Sequence, residues 1–430
     1  IWQRAASMAA LFYLAALCFY AQSRLLSVSS GSPRRAGGNY LCALAMTVAA
    51  MFTKENTVTL PLMIMLYEFF FIRTGKGFHW KGISPFLGTL LIIPLTMVLT
   101  KSARFREIHQ VIYGPQGITP WHYLLTQFRV MVTYIRLVFL PVNQNLDYAY
   151  HVSKSIFEWP TFCSLLLLIA VLICAVRLFS KYRMISFGIF FFFLALVPES
   201  SILPLKDVIF EHRLYLPLAG FGMFLPVSVY YLWGRNNFRA MVICLSAVVA
   251  CYSALTYIRN NVWRDGLSLW EDTVSKSPHK ARPYVGLGQA WEDKGYFAQA
   301  IADYTKAIAV DPLFADAYYN RGTVYGKLGS WGRAVSDYKK TVELNPYKVD
   351  AYYNRGTIYS RQGLFTRAIA DFDKAAELDP GDADIYHNRA ITYYHLKDFR
   401  RSLKDSYTAR ALGNPVSPKL MGILKGKSRA

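Results

Sequence analysis

A seven-residue block that returns at a fixed interval near the end of this 430-residue chain constrains the fold more than any other feature. Asp316-Ala-Tyr-Tyr-Asn-Arg-Gly recurs as Asp350-Ala-Tyr-Tyr-Asn-Arg-Gly and again as Asp384-Ile-Tyr-His-Asn-Arg-Ala, 34 residues apart each time. One period earlier, Arg282-Pro-Tyr-Val-Gly-Leu-Gly fills the same register. A unit this short cannot bury its apolar face alone, so such units stack and each is held by its neighbours. Gly288, Gly322, Gly356 and Ala390, and later Ala300, Ala334 and Ala368, let two helices per unit pack closely. Aromatic residues follow the first set by three positions: Trp291, Tyr325, Tyr359 and Tyr393. Pro312, Pro346 and Pro380 close the units, because proline cannot continue a helix.

This period and these positions resemble the tetratricopeptide (TPR) repeat, with four repeats over 282–315, 316–349, 350–383 and 384–417. The fourth departs from the pattern at Ser402 and at Asn414-Pro415 and is expected to act as a cap. Residues 261–281 read as a linker and a lone capping helix carrying Trp270, and 418–430 as a basic disordered tail. Asp316, Asp350 and Asp384, with Tyr319, Tyr353, Asn320, Asn354 and Asn388, are expected to line the groove of the array. Such a lining suits an extended peptide or a glycan, since the Lys and Arg of a peptide-carboxylate clamp are absent from it. The alternative is that the Asp residues start helices and the Tyr residues pack.

Residues 1–260 have a different character. Apolar runs at 5–21, 40–52, 57–72, 83–100, 160–179, 184–197, 214–233 and 238–258 approach the length of about 20 residues that crosses a membrane. The second and third are short and separated only by Thr53-Lys54-Glu55-Asn56, so they form either a tight hairpin or one broken helix. The fold class is therefore all-α: a polytopic transmembrane helix bundle followed by a TPR α-solenoid. All six cysteines sit in the apolar runs, with neither a disulfide framework nor a zinc spacing. The net charge of +21 has its larger share, 23 Lys/Arg against 9 Asp/Glu, in residues 1–265. Among apolar segments that excess reads as topogenic charge facing lipid, not as a nucleic-acid surface.

Three segments of this half resemble bacterial multi-pass proteins with C-terminal TPR arrays and, more remotely, the eukaryotic transmembrane-and-TPR O-mannosyltransferases. They are Phe52-Thr-Lys-Glu-Asn-Thr-Val-Thr-Leu-Pro61, Asn145-Leu-Asp-Tyr148 and Ile202-Leu-Pro-Leu-Lys-Asp-Val-Ile-Phe-Glu-His-Arg-Leu-Tyr-Leu-Pro217. The resemblance implies a GT-C glycosyltransferase architecture, a polyprenyl-phosphate sugar donor and a site on the exoplasmic face. It also implies an acidic residue in the first exoplasmic loop, acting as base or metal ligand. No Asp or Glu precedes Glu55, and the chain opens on Ile1 directly before an apolar run, so it is expected to lack its natural N-terminal part. That acid, and any divalent metal it holds, would lie upstream, with Glu55 and Asp147 as weak substitutes; no cofactor is otherwise evident. Glu211, His212 and Arg213 stand where a helix enters the membrane and are the candidates for a lipid phosphate, which needs His or Arg donors at that depth. The opposing reading makes them an interfacial anchor.

The expected activity is transfer of a sugar from lipid phosphate to a protein or glycan acceptor in the TPR groove, in a bacterial inner membrane. The alternative is a non-catalytic, membrane-anchored TPR scaffold of the cell envelope. Orientation follows from loop charge, because positive connections stay cytoplasmic. Arg24, Arg34, Arg35, Arg73, Lys76, Lys81, Arg177, Lys181, Arg183, Arg235 and Arg239 fall on one side if 121–140 does not cross. That segment places His122, Thr126, Arg129, Thr133 and Arg136 on one helical face, which suits an interface or a polar cavity better than lipid. The repeats then lie outside the cytoplasm. A reporter fused after Ala430 and active only outside the cytoplasm is expected to be active; signal from a cytoplasm-only reporter would overturn this sidedness.

Overall fold

The computed structural model describes residues 2–29, 33–72, 80–99, 118–200, 207–234, 237–415 and 417–429, and every regular element among them is helical. Arg73, Lys76, Lys101, Arg104, Arg106, Ile202 to Lys206 and Arg235 lie outside the described residues. The chain divides into two compact units, Ile1–Arg259 and Asn260–Ala430.

In the first unit, α1 (Trp2–Ser29) and α2 (Pro33–Thr53) form an antiparallel pair. Small residues seven apart on α2, Ala36, Ala43 and Ala50, are buried, and the Ser23 hydroxyl donates to the Ala36 carbonyl at 2.8 Å. Such small residues let helix backbones approach closely. A 3-10 turn (Glu55–Thr59) then leads into α3 (Leu60–Tyr67) and a π turn (Glu68–Ile72). Tyr13 bonds Thr59 at 3.1 Å, while Tyr20 and Arg24 both donate to Glu68. Residues 59–68 therefore run alongside α1 in its own direction, and of the two possibilities left by the sequence, the 53–56 segment closes a tight hairpin.

Next come α4 (Trp80–Gly88), α5 (Ile92–Leu99), α6 (Pro120–Phe139), α7 (Trp159–Leu178), α8 (Arg183–Leu196), a 3-10 turn (Glu211–Leu214), α9 (Pro217–Val229) and α10 (Phe238–Val262). Among the described residues, four helices are long and apolar enough to cross a membrane, over 5–27, 33–53, 159–178 and 238–262; shorter apolar helices cover 56–72, 80–96, 183–196 and 217–232. Helices α8 and α9 meet at two glycines. A Cβ on Gly188 would lie 2.7 Å from the Gly220 carbonyl oxygen, and one on Gly220 would lie 2.6 Å from that of Gly188.

Helix α6 is not among the four long apolar helices. It packs Val130, Tyr134, Leu137 and Val138 against Phe192 and Leu196 at the end of α8 and against Ile209 and Leu214 before α9. Its polar face is covered by chain: Thr126 accepts from the Ser153 amide, Arg129 donates to the His151 carbonyl, and Thr133 bonds Tyr150. Protein groups thus satisfy Thr126, Arg129 and Thr133 of the polar stripe, while Arg136 is exposed.

The second unit opens with α11 (Gly266–Lys276), whose Trp270 ring occupies the space a Cβ would need on Gly286. Four helix pairs follow: α12 and α13 (Ala281–Asp293, Phe297–Val310), α14 and α15 (Ala315–Lys327, Trp331–Leu344), α16 and α17 (Val349–Arg361, Phe365–Leu378), and α18 and α19 (Ala383–His395, Phe399–Ala411). The A-to-B turns of the first three pairs contain Gly295, Gly329 and Gly363 at positive φ, where a side chain would be strained, and Lys397 adopts it in the fourth. Ser402, where the pattern has Ala, is buried and donates to the Ala390 carbonyl at 2.8 Å, so the extra hydroxyl is paired.

One expectation is corrected. Residues 418–430 were expected to be a disordered tail, yet α20 (Pro418–Arg429) is helical. Met421 and Leu424, three apart, share one helix face and are buried, and Met421 packs on Ala409. This apolar stripe is short enough to be hidden among the basic residues.

Overpacking Ala334, which is fully buried, with Trp is expected to destabilise the repeat unit by about 1–3 kcal/mol or more, whereas exposed Lys339→Ala should stay within about 0.5 kcal/mol. Thermal melting of the two variants checks the register. Gly220→Val should likewise lower the melting temperature of the detergent-solubilised chain, while Gly222→Val, with open space around its Cβ, should leave it nearly unchanged.

Candidate functional site

Glu199 follows α8 and gathers three other segments. Its Oε1 accepts from Lys54 Nζ at 2.8 Å, its Oε2 lies 3.3 Å from Arg213 Nε, and its carbonyl accepts from the Tyr123 hydroxyl at 2.9 Å. Lys54 stands between α2 and the 3-10 turn, Arg213 in the turn before α9, and Tyr123 in the first turn of α6. Arg213 is only 5% exposed and also donates to the Val208 carbonyl at 3.1 Å and the Asp207 carbonyl at 2.9 Å. Its guanidinium points inward, neither to solvent nor toward a lipid interface, and caps a backbone turn that helix geometry leaves unpaired.

The neighbouring motif residues are drawn into the same region. One Glu211 oxygen accepts from the Asn145 amide and from the Tyr148 hydroxyl, both at 2.7 Å. Burial first, and then Glu211, push the Tyr148 phenol well above its ordinary range, so it stays a donor. Asn145 and Asp147 are buried, and the Asn145 side chain accepts from the Asp147 amide. His212 is half-buried and stacks on Phe210. Desolvation, reinforced by Lys54 and Arg213 and opposed by Glu199, lowers its pKa below the ordinary 6.5. The imidazole is therefore neutral at pH 7. Glu55 begins the 3-10 turn, and its side chain lies outside the described residues.

The three motif segments thus converge, with Lys54, Glu199, Tyr123 and Tyr148 as members that sequence reasoning did not assign to the site. Buried oxygens at Asn56 Oδ1, Gln127 Oε1 and Ser200 Oγ, on the segments that carry Lys54, Tyr123 and Glu199, have no protein partner. An ordered water or a ligand hydroxyl would satisfy each of them. The carboxylates present do not fit a divalent cation: Glu199 is held by two cationic side chains and Glu211 by a phenol and an amide. Among the described residues no cluster of His, Cys, Asp and Glu has the makings of a metal site.

In the repeats, the Tyr and Asn residues expected along the groove bond to each other. Asn354 donates to Tyr319 at 3.4 Å and Asn388 to Tyr353 at 2.5 Å, so successive A helices are cross-linked. For Asn320 the equivalent position holds Val285. Asp316, Asp350 and Asp384 are exposed in first helical turns, where Asp316 pairs with Lys348 and Asp384 accepts from Asn414. A second 34-residue series went unassigned: Arg321–Asp337, Arg355–Asp371 and Arg389–Asp405 are two-pronged ion pairs joining helix A to helix B. The recurring Asp303, Asp337, Asp371 and Asp405 were the available signal.

The C-terminal region of this chain is a tetratricopeptide-repeat array. Residues 288–329 match the TPR repeat, and 315–348, 349–382 and 372–404 match further tetratricopeptide repeats. The chain is also similar, at low identity, to protein O-mannosyl-transferases. One from Caenorhabditis elegans is 23% identical over 326 residues, covering 72% of this chain and 43% of that protein. Tmtc3 of Drosophila melanogaster is 22% identical over 356 residues, covering 71% of this chain and 38% of that protein. The chain spans less than half the length of these relatives. Among solved structures, YrrB, described as a TPR protein with an unusual peptide-binding site, is 24% identical and covers 41% of this chain and 89% of its own, with a TM-score of 0.33.

Removing a partner from the Glu199 cluster leaves a buried charge, so Arg213→Ala should cost about 3–5 kcal/mol of stability. That differs from the role of an exposed phosphate donor, whose loss costs affinity alone. Stability should also fall as the pH drops below about 6.5, because the unfolded chain takes up a proton that folded His212 resists. His212→Gln should flatten that part of the profile; an unchanged acid slope in melting temperature would remove the assignment.

Proposed function

We propose that this chain is the membrane and repeat portion of a GT-C-like glycosyltransferase, which moves a sugar from a polyprenyl-phosphate donor to a protein or glycan acceptor held by the TPR groove. The observation that supports this reading most directly is the convergence of 52–61 and 207–217 on Glu199, with 145–148 joined to them through Glu211. Lys54 and Arg213 place two cationic donors in a partly dry site, the kind of group that recognises the negative charge of a phosphodiester-linked sugar. Lys54, at 13% side-chain exposure, can exchange Glu199 for phosphate, and neutral His212 can donate one hydrogen bond. Arg213 and Tyr123 act one step back, holding Glu199. The unpartnered oxygens of Asn56, Gln127 and Ser200 would accept from sugar hydroxyls or from water.

A second reading, a non-catalytic membrane-anchored scaffold, is favoured by one fact: Glu199 and Glu211 are both engaged, which leaves neither free as a base. Titrating a polyprenyl-phosphate analogue into the detergent-solubilised chain separates the two. Lys54→Met should weaken binding by about 10-fold to 150-fold, the range set by a lost charge-assisted hydrogen bond. Equal affinity in wild type and Lys54→Met, both well folded, would leave the scaffold reading standing.

A further inference from the structure

The formal charge of the repeat region is unevenly distributed. Residues 266–396 carry 16 Lys/Arg and 16 Asp/Glu, while residues 397–430 carry 9 and 2. The whole excess of +7 therefore sits on the last B helix and the segment beyond it. Because α20 is folded against α19, that charge is gathered on one end of the array: Lys397, Arg400, Lys404, Arg410, Lys425 and Lys427 are all exposed. Lys427 Nζ lies over the rings of Phe399 and Tyr394, at 5.0 and 5.4 Å from their centroids, which fixes the α20 cation beside the turn between α18 and α19. There an open cleft of about 960 Å³ is lined by Lys397, Arg400 and Lys427 over Tyr394 and Phe399. Its one acid, Asp398, is already held by Arg401.

We propose that this end of the array is a docking surface for the anionic headgroups of phospholipids. The chemistry is that of phosphate beside apolar surface, since exposed Leu396, Tyr407, Leu412 and Ile423 are interleaved with the cations. Mixed basic and apolar side chains fit a lipid interface, where each cation strengthens attachment on the order of five-fold. A soluble polyanion would make no use of the apolar groups. The proposal rests on the membrane placement proposed above, which also supplies proximity: a tethered surface meets lipid at high effective concentration. Docking would hold the array at the bilayer.

The test uses the full chain in nanodiscs of phosphatidylcholine alone or of phosphatidylcholine mixed with phosphatidylglycerol, read by amide hydrogen exchange. Exchange over 397–429 is expected to slow in the anionic discs. The slowing should vanish at high salt and in the triple variant Lys397→Glu, Arg400→Glu, Lys427→Glu, where three reversed charges remove on the order of 100-fold or more from the docking equilibrium. Protection of α14 to α17 reports whether that variant is folded; Lys404→Glu with Arg410→Glu is the second probe, since neither side chain lines the cleft. Equal exchange over 397–429 in both discs overturns the docking. So does equal slowing in neutral discs on adding inorganic phosphate, an acidic peptide or an oligonucleotide, which would reassign the surface to a soluble anion. Loss of protection in α7 and α10 in both discs would instead overturn the membrane placement, and the docking with it.

Discussion

A single carboxylate holds together the end of the first unit where the motifs meet. Glu199 receives Lys54 from the 53–56 hairpin and Arg213 from the turn before α9, while its backbone carbonyl receives Tyr123 from α6. In a site this dry, any one of those charges alone would be costly, and together they stabilise each other. The guanidinium also satisfies two carbonyls of the 207–208 turn, so the irregular backbone there persists because a buried side chain supplies its hydrogen bonds. The positions of His212 and of Glu211 with its Tyr148 partner depend on that turn.

The second unit depends on a repeating contact. Each Arg of the Asn-Arg-Gly block grips an Asp sixteen residues later through two parallel hydrogen bonds, and each small residue beside it accepts the partner helix closely. Arg389 reaches further, to Asp373 of the preceding repeat, so helix pairing and repeat stacking share a side chain. The first repeat has Leu287 in place of the arginine, and its Asp303 pairs locally with Lys306.

The candidate site was legible in pieces. Asp147, Glu211, His212 and Arg213 stood out as candidates by resemblance, but their relations did not. Arg213 reads from sequence as a basic residue at a membrane boundary, and such residues ordinarily turn outward. Glu199 and Lys54 lie 145 positions apart, and no periodicity joins them. The Tyr and Asn residues of the groove follow from the repeat register, but whether they face a ligand or each other depends on the next repeat, 35 residues away.

The sequence alone determined what a local or periodic rule can carry: apolar runs that form helices, and a 34-residue register in which each unit repeats its neighbour's contacts. Both follow from forces acting within a helix or between adjacent units. Only the tertiary structure decided which end of the first unit gathers Lys54, Glu199 and Arg213, and that residues 418–429 fold. Met421 and Leu424 form an apolar face of two side chains among four cations, too little to order a helix by itself. It becomes ordered because α19 presents Ala409 as a surface to cover, and that surface exists only after the last repeat has folded.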